Sequence, residues 1–292
     1  MYRLRKVLAA MLVMATMQPL VLYANDIDPP PLEAGLAIVV CAVTGHVLHA
    51  HGDPHQRAYP ASMTKIMTAL LLLESGADMD DQIFHSHAAI FGFNRDSSHI
   101  YMSPGETLTV WQALHAIMVP SANDVSNAIA EFVAGDMLTF AAMMTARAHE
   151  LGATNTNFVN AHGLNHPDHF TTTYDMALIM REIIKHDYLL QVINTPRFII
   201  PPTQVQRQPR ILDNTNWMVR PTMPQFNLDI VGGKTGWTTP SGNTLVSYGR
   251  RGDIGLVSVV MQAPRREAIR WPGAAARAGS GACDRRRGAA GR

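Results

Sequence analysis

Three short strings in this 292-residue chain carry hydroxyl, amine and amide groups at spacings suited to nucleophilic acyl chemistry: Ser62-Met63-Thr64-Lys65, Ser121-Ala122-Asn123 and Lys234-Thr235-Gly236. In the first, residues three apart share one helix face, so the Lys65 amine can reach back to the Ser62 hydroxyl and pair a nucleophile with a base. An ordinary lysine titrates near about 10.4, too high to take a proton at neutral pH unless burial or a neighbouring cation lowers it. Lys234 is the candidate cation. From this string alone an equally good reading makes Ser62 a helix N-cap and Lys65 a solvated first-turn lysine.

The other two strings supply what a nucleophile and a base lack. Ser121 is placed to relay a proton to a leaving amine, and Asn123 to bond Lys65 or a substrate amide; the alternative is that either simply caps the next helix. Lys234 and Thr235 would grip a terminal carboxylate, with Gly236 leaving room for an extended peptide to approach a strand edge. Here the alternative is a surface turn with a chance lysine.

The elements that must hold these groups follow from pattern. Pro60-Ala61-Ser62 precedes an apolar, helix-favouring run over residues 63–74, with Gly76 as its stop, which puts Ser62 at or near a helix N-terminus. There the free N–H groups and the helix dipole favour negative charge. Residues 111–119 and 125–133 show apolar residues at helical spacing, so Ser121 and Asn123 lie on a loop between helices. Residues 36–43 and 46–51 read as strands joined by Thr44-Gly45, helical patterns dominate from Ser62 to about Asp187, and strands return after Val231. Lys234-Thr235-Gly236 is expected to end a turn-rich segment at Gly232-Gly233 and to open paired strands over 244–248 and 254–260. Strands, helices, then strands imply one sheet with helices packed on it.

Between about Leu36 and Pro264 the chain resembles the low-molecular-mass penicillin-binding proteins that act as D-alanyl-D-alanine carboxypeptidases. The likeness rests on Pro60 to Thr68, on Val119 to Asp124, on Leu151-Gly152-Ala153-Thr154-Asn155-Thr156-Asn157-Phe158-Val159-Asn160, on His162-Gly163-Leu164 and on Thr171 to Ala177, as well as on the three strings and their rough spacing. The resemblance implies an α/β (α+β) fold: an antiparallel five-stranded sheet flanked by helices, an all-helical lobe, and the active site between them. It also implies a two-step acyl transfer. Ser62 attacks the carbonyl of the penultimate D-alanine, Lys65 takes its proton, and the terminal D-alanine leaves with a proton passed through Ser121. Water then frees the enzyme. The N–H groups of Ser62 and Trp237 would form the oxyanion hole. Asn123, Lys234, Thr235, Gly236 and Trp237 would bind the substrate, a peptidoglycan stem peptide ending in D-Ala-D-Ala, without a cofactor or metal. β-Lactams would acylate the same serine and leave slowly.

Composition agrees and adds little. The chain is 47% hydrophobic with a net charge of +1, enough apolar residues for one large domain and no footprint for nucleic acid. Two cysteines, Cys41 and Cys283, cannot support a disulfide framework, and Cys41 is expected as a buried strand residue. Arg3, Arg5 and Lys6 precede an apolar stretch over 7–22, which reads as a secretory signal peptide over residues 1–24 and an exported, periplasmic or membrane-facing protein. Membrane contact is expected through that segment alone. The thirteen histidines show no metal-ligand spacing, which disfavours a zinc D-alanyl dipeptidase.

Within the serine class, a D,D-endopeptidase and a β-lactamase are the alternatives, although no counterpart is visible of the loop glutamate that activates water in β-lactamases of this kind. The second class is a non-catalytic, decayed copy. Its argument is the tail: the catalytic domain would span 25–265, whereas 266–292 starts a helix that Trp271-Pro272-Gly273 breaks before a Gly/Ala/Arg-rich run consistent with a shifted reading frame. A tail that adds no packed structure would leave one face of the sheet exposed.

Overall fold

The computed structural model describes residues 32–264. The expected signal segment over 1–24 and the expected tail over 266–292 lie outside them. In chain order the strands are β1 (Leu36–Cys41), β2 (Val47–His51), β3 (Gln82–Phe84), β4 (Thr107–Thr109), β5 (Arg197–Ile200), β6 (Arg210–Asp213), β7 (Ile230–Thr238), β8 (Gly242–Arg251) and β9 (Ile254–Ala263). The helices are α1 (Lys65–Glu74), α2 (His87–Phe91), α3 (Val110–Met118), α4 (Asn123–Ala134), α5 (Met137–Glu150), α6 (Thr173–Ile183) and α7 (Asp187–Ile193).

Five strands form one antiparallel sheet in the order β2-β1-β9-β8-β7, so N-terminal and C-terminal strands meet at β1 and β9. Alternation along β1 explains its two-sided burial. Leu36, Ile38 and Val40 join the core shared with the helices, together with Val257, Val259 and Met261 of β9. Ala37, Val39 and Cys41 point to the other face. On the helical side, α6 packs across β1, β8 and β9, while α1 is enclosed by α3, α4, α5 and α6. That enclosure fits the run from Ile66 to Leu72, apolar except for Thr68, whose hydroxyl donates to the Ala161 carbonyl; every residue in it is buried. A helix apolar on all sides belongs inside.

One expectation is corrected: the helical lobe is not all-helical, because β3 and β4 pair within it as a short ribbon. On the outer face of the sheet Ala37, Val39, Leu48, Leu245 and Val260 are fully buried, packed with Met218 and Val219. Cys41 is buried in β1 as expected. Cys283 lies outside the described residues.

β7 is an edge of the sheet, and it contains both Gly232-Gly233 and Lys234-Thr235-Gly236. The glycine pair is therefore strand and not turn. A side chain at Gly233 would sit 2.1 Å from the Val246 carbonyl oxygen of β8, so close strand approach selects glycine there.

Candidate active site

A tight 3-10 turn, Ala61–Thr64, carries Ser62 and runs straight into α1 at Lys65. Ala61 adopts a left-handed backbone with φ of +48°, a conformation that costs a non-glycine residue about 1–3 kcal/mol and is found mainly where function requires it. Pro60 precedes the turn, and no side chain caps either segment, so Ser62 is not an N-cap. The Thr64 hydroxyl anchors the turn instead. It donates to the Ala61 carbonyl at 2.8 Å and lies 2.8 Å from His169 Nε2. The Val159 N–H donates to His169 Nδ1, which leaves Nε2 as the donor toward Thr64. Burial and nearby cations push the His169 imidazole down to about 3, so this bond comes from the neutral ring.

Lys65 is fully buried. Its Nζ lies 2.7 Å from Asn123 Oδ1, 2.7 Å from the His162 carbonyl and 3.1 Å from Ser62 Oγ. Desolvation lowers its pKa well below the ordinary lysine value, Lys234 lowers it further by charge repulsion, and the buried Asp124 carboxylate opposes both. A neutral amine has two hydrogens and one lone pair. Donating the hydrogens to Asn123 and the His162 carbonyl leaves the lone pair for the Ser62 hydroxyl, which is the geometry of a general base.

Ser121 occupies the break between α3 and α4, with φ of +74°. Ala122 is the N-cap of α4 and makes no side-chain bond, so neither Ser121 nor Asn123 serves as a cap. Ser121 Oγ is buried and has no hydrogen-bond partner. A buried, unpaired hydroxyl at a strained position is free to turn toward a reacting group.

From the sheet side, β7 brings Gly236 against the nucleophile. A side chain there would meet the Ser62 nitrogen at 2.8 Å and Thr244 Oγ1 at 2.4 Å, so only glycine allows this approach. Thr244 in turn donates to the Pro60 carbonyl at 3.0 Å, tying β8 to the start of the turn. Lys234 is fully buried behind this strand, its Nζ donating to the Thr235 carbonyl at 2.9 Å, and burial brings its pKa down to about 7. Its place is therefore behind the cleft wall, with Thr235 in front of it.

The cleft between these walls encloses about 640 Å³. Ser62, Ser121, Thr235, Gly236 and Trp237 line it, as the three strings require. Ser98, Thr215 and Trp217 line it too, and no motif pointed to them. Thr215 Oγ1 lies 2.6 Å from Thr235 Oγ1, so two hydroxyls stand side by side on the sheet wall.

Among the described residues, the single trio of potential metal ligands with donor atoms within 4.8 Å of one another is Glu74, Glu182 and His186. The Arg147 guanidinium already lies 2.7 Å from Glu74 and 3.8 Å from Glu182 there.

A family model described as D-alanyl-D-alanine carboxypeptidase matches residues 23–265. This chain belongs to the D-alanyl-D-alanine carboxypeptidase family. It is 34% identical over 236 residues to the D-alanyl-D-alanine carboxypeptidase DacF of Bacillus subtilis, covering 79% of this chain and 58% of that protein. It is 32% identical over 248 residues to DacC of Escherichia coli, another D-alanyl-D-alanine carboxypeptidase, with 82% and 59% covered. The chain thus spans just under three fifths of the length of these carboxypeptidases. A crystal structure of a D-alanyl-D-alanine carboxypeptidase from Mycobacterium tuberculosis superposes with a TM-score of 0.74 at 26% identity, covering 83% of this chain and 88% of the other.

Proposed function

We propose that the chain is a serine-type D-alanyl-D-alanine carboxypeptidase that removes the terminal D-alanine of peptidoglycan stem peptides and is acylated by β-lactams. The observation that carries this reading is the Ser62 hydroxyl 3.1 Å from a buried Lys65 amine whose two other contacts fix its hydrogens. Ser62 Oγ attacks the carbonyl of the penultimate D-alanine while its proton passes to Lys65. The tetrahedral oxyanion rests on the N–H groups of Ser62 and Trp237. Collapse breaks the peptide bond, and the leaving D-alanine nitrogen takes a proton from Lys65 by way of Ser121. Water then attacks the ester, and the proton it gives up returns to Ser62. Incubating the protein with a diacyl tripeptide ending in D-Ala-D-Ala should release D-alanine, and prior treatment with penicillin should suppress the release; intact tripeptide at high enzyme concentration would refute the assignment.

Carboxylate recognition falls to Thr235 and Thr215, backed by the positive charge of Lys234. With its pKa near 7, Lys234 is charged below that pH and loses its charge above it. For substrates with a free terminal carboxylate, kcat/KM should therefore fall above about pH 7, whereas for the C-terminal amide this alkaline limb should be absent. Lys234→Ala should weaken turnover of the acid much more than of the amide. Equal losses would mean that Lys234 acts mainly on Lys65 or on structure.

Residues 25–265 are proposed as the catalytic unit and residues 1–24 as a signal that exports it. Expressed from Met1 in a bacterium, the protein should partition outside the cytoplasm and begin near Asn25. Retention of Met1 in the cytoplasmic fraction would contradict this.

A further inference from the structure

The segment between α2 and β4 has no regular structure, yet it supplies part of the catalytic geometry. Ser97 Oγ accepts from Asn123 Nδ2 at 2.8 Å, and the Ser98 carbonyl accepts from the Asn123 backbone N–H at 2.9 Å. Asn123 is the residue whose Oδ1 holds Lys65. Ser98 itself lines the cleft. Whatever fixes this loop therefore fixes the base.

Two buried charges grip it from opposite sides. Asp124 accepts the backbone N–H groups of Ile100, at 3.2 Å, and Met102, at 3.1 Å. Between them Tyr101 has φ of +59°, a left-handed conformation unfavourable for a tyrosine. On the other side Arg210 of β6 donates from Nε to the Ile100 carbonyl at 2.9 Å and from Nη2 to the Tyr101 carbonyl at 3.2 Å. The same guanidinium makes a forked pair with Glu106, at 2.7 and 2.9 Å. Glu106 closes the loop by accepting the Ser103 N–H at 3.0 Å and the Thr203 hydroxyl at 2.5 Å. Its side chain is wholly buried and that of Arg210 is 10% exposed. Burial opposes ionisation of Glu106, but its bonds from Arg210, Thr203 and Ser103 outweigh that and hold its pKa below the usual value.

Arg210 also joins the two sides of the cleft. β6 ends at Asp213 and leads directly through Asn214 to Thr215, which stands on the sheet wall beside Thr235. One guanidinium thus ties the loop of the helical wall to the strand that delivers the opposite wall. None of its contacts reaches the cleft, so it acts through other residues.

We propose that Arg210 is a positioning residue of the acyl-transfer site: clasping Ile100, Tyr101 and Glu106, it holds the Ser97–Ser98 segment where it keeps Asn123 against Lys65. The inference rests on the roles given above to Ser62 and Lys65. The charged and titratable groups around Lys65 are Lys234, Asp124, His162 and His169. None of them is altered by a change at Arg210, so a shift in the titration of the base would report its placement and hydration. A fork of this kind cannot be replaced by an ammonium.

The test is the rate of acylation by a labelled penicillin across pH, in the full chain and in Arg210→Leu and Arg210→Lys, each normalised to the final amount of labelled protein. Arg210→Leu should acylate about tenfold or more slowly, the size expected of a misplaced catalytic group. Its acid limb should move to higher pH by about one unit, as water reaches Lys65 and its pKa climbs back toward the ordinary value. Arg210→Lys keeps the charge and should show the same displaced limb, which covers the case that the leucine variant does not fold. Wild-type rates per labelled site and an unmoved limb in the folded variants would overturn the inference while leaving the roles of Ser62 and Lys65 intact. Absence of labelling in the unsubstituted chain would overturn both.

Discussion

Ser62→Ala is expected to abolish covalent labelling by penicillin, because no other hydroxyl in the cleft has a buried amine aligned on it. The Ser62 side chain caps neither segment, and its carbonyl, which accepts from the Lys65 N–H at the end of the turn, is kept by alanine, so the variant should fold normally. Ser121→Ala serves as the control. Ser121 Oγ has no partner in the free protein, so its removal leaves nothing unpaired and should not reduce stability. It should slow acylation by about 10²-fold at most, the lower end for loss of a proton relay, and leave slow labelling intact. Labelling of the Ser62→Ala protein would show that the nucleophile is elsewhere.

Lys65→Ala should lower the acylation rate by about 10²–10⁴-fold, the range for removal of a positioned general base. It also leaves Asn123 Oδ1 and the His162 carbonyl without the amine that both now bind, so some loss of stability, about 1–3 kcal/mol, should accompany it. Lys65→Arg separates the two effects. A guanidinium can satisfy acceptors but cannot give up its proton, so acylation should remain low even in folded protein. In the unsubstituted chain the base is competent only when neutral. Acylation should therefore fall as pH drops through the lowered pKa of Lys65 and stay high at neutral pH, where an ordinary lysine would be charged. A profile that rises only above about pH 10 would mean that Lys65 titrates as an ordinary lysine and is not the base.

The nucleophile, its base and the facing strand were legible because their chemistry depends on residue type. A hydroxyl three residues from a lysine at a helix start predicts a contact, and Ser62 and Lys65 make it. Strands β1 and β9 were legible as long, largely apolar runs, which is how strands buried on both faces read. The pieces that escaped notice are those in which backbone does the work. Lys65 is held in part by the carbonyl of His162, and a carbonyl leaves no mark in residue type. Burial lowers the pKa of the His162 imidazole and keeps it neutral, and the base is bound through the main chain of this residue. Ribbons β3–β4 and β5–β6, of three and four residues per strand, are too short to show alternation. Gly232-Gly233 was read as a turn because glycine marks turns as often as it marks close strand packing. Thr215 and Ser98 reach the cleft through loops anchored by distant contacts, the Val119 carbonyl for Thr215 and Arg210 for the segment that carries Ser98. Their placement is a property of the assembled fold.

Acylation by the route described must end with a covalent bond at one identifiable atom. Trypsin cuts after Arg57 and Lys65, so Ser62 falls in a short peptide running from Ala58 to Lys65, while Ser121 falls in a separate one between Arg95 and Arg147. After brief reaction of the full chain with penicillin at neutral pH, mass spectrometry of the digest should find the antibiotic's mass added to the 58–65 peptide, with fragmentation placing it on Ser62. An adduct on the peptide containing Ser121, or on none, would contradict the account.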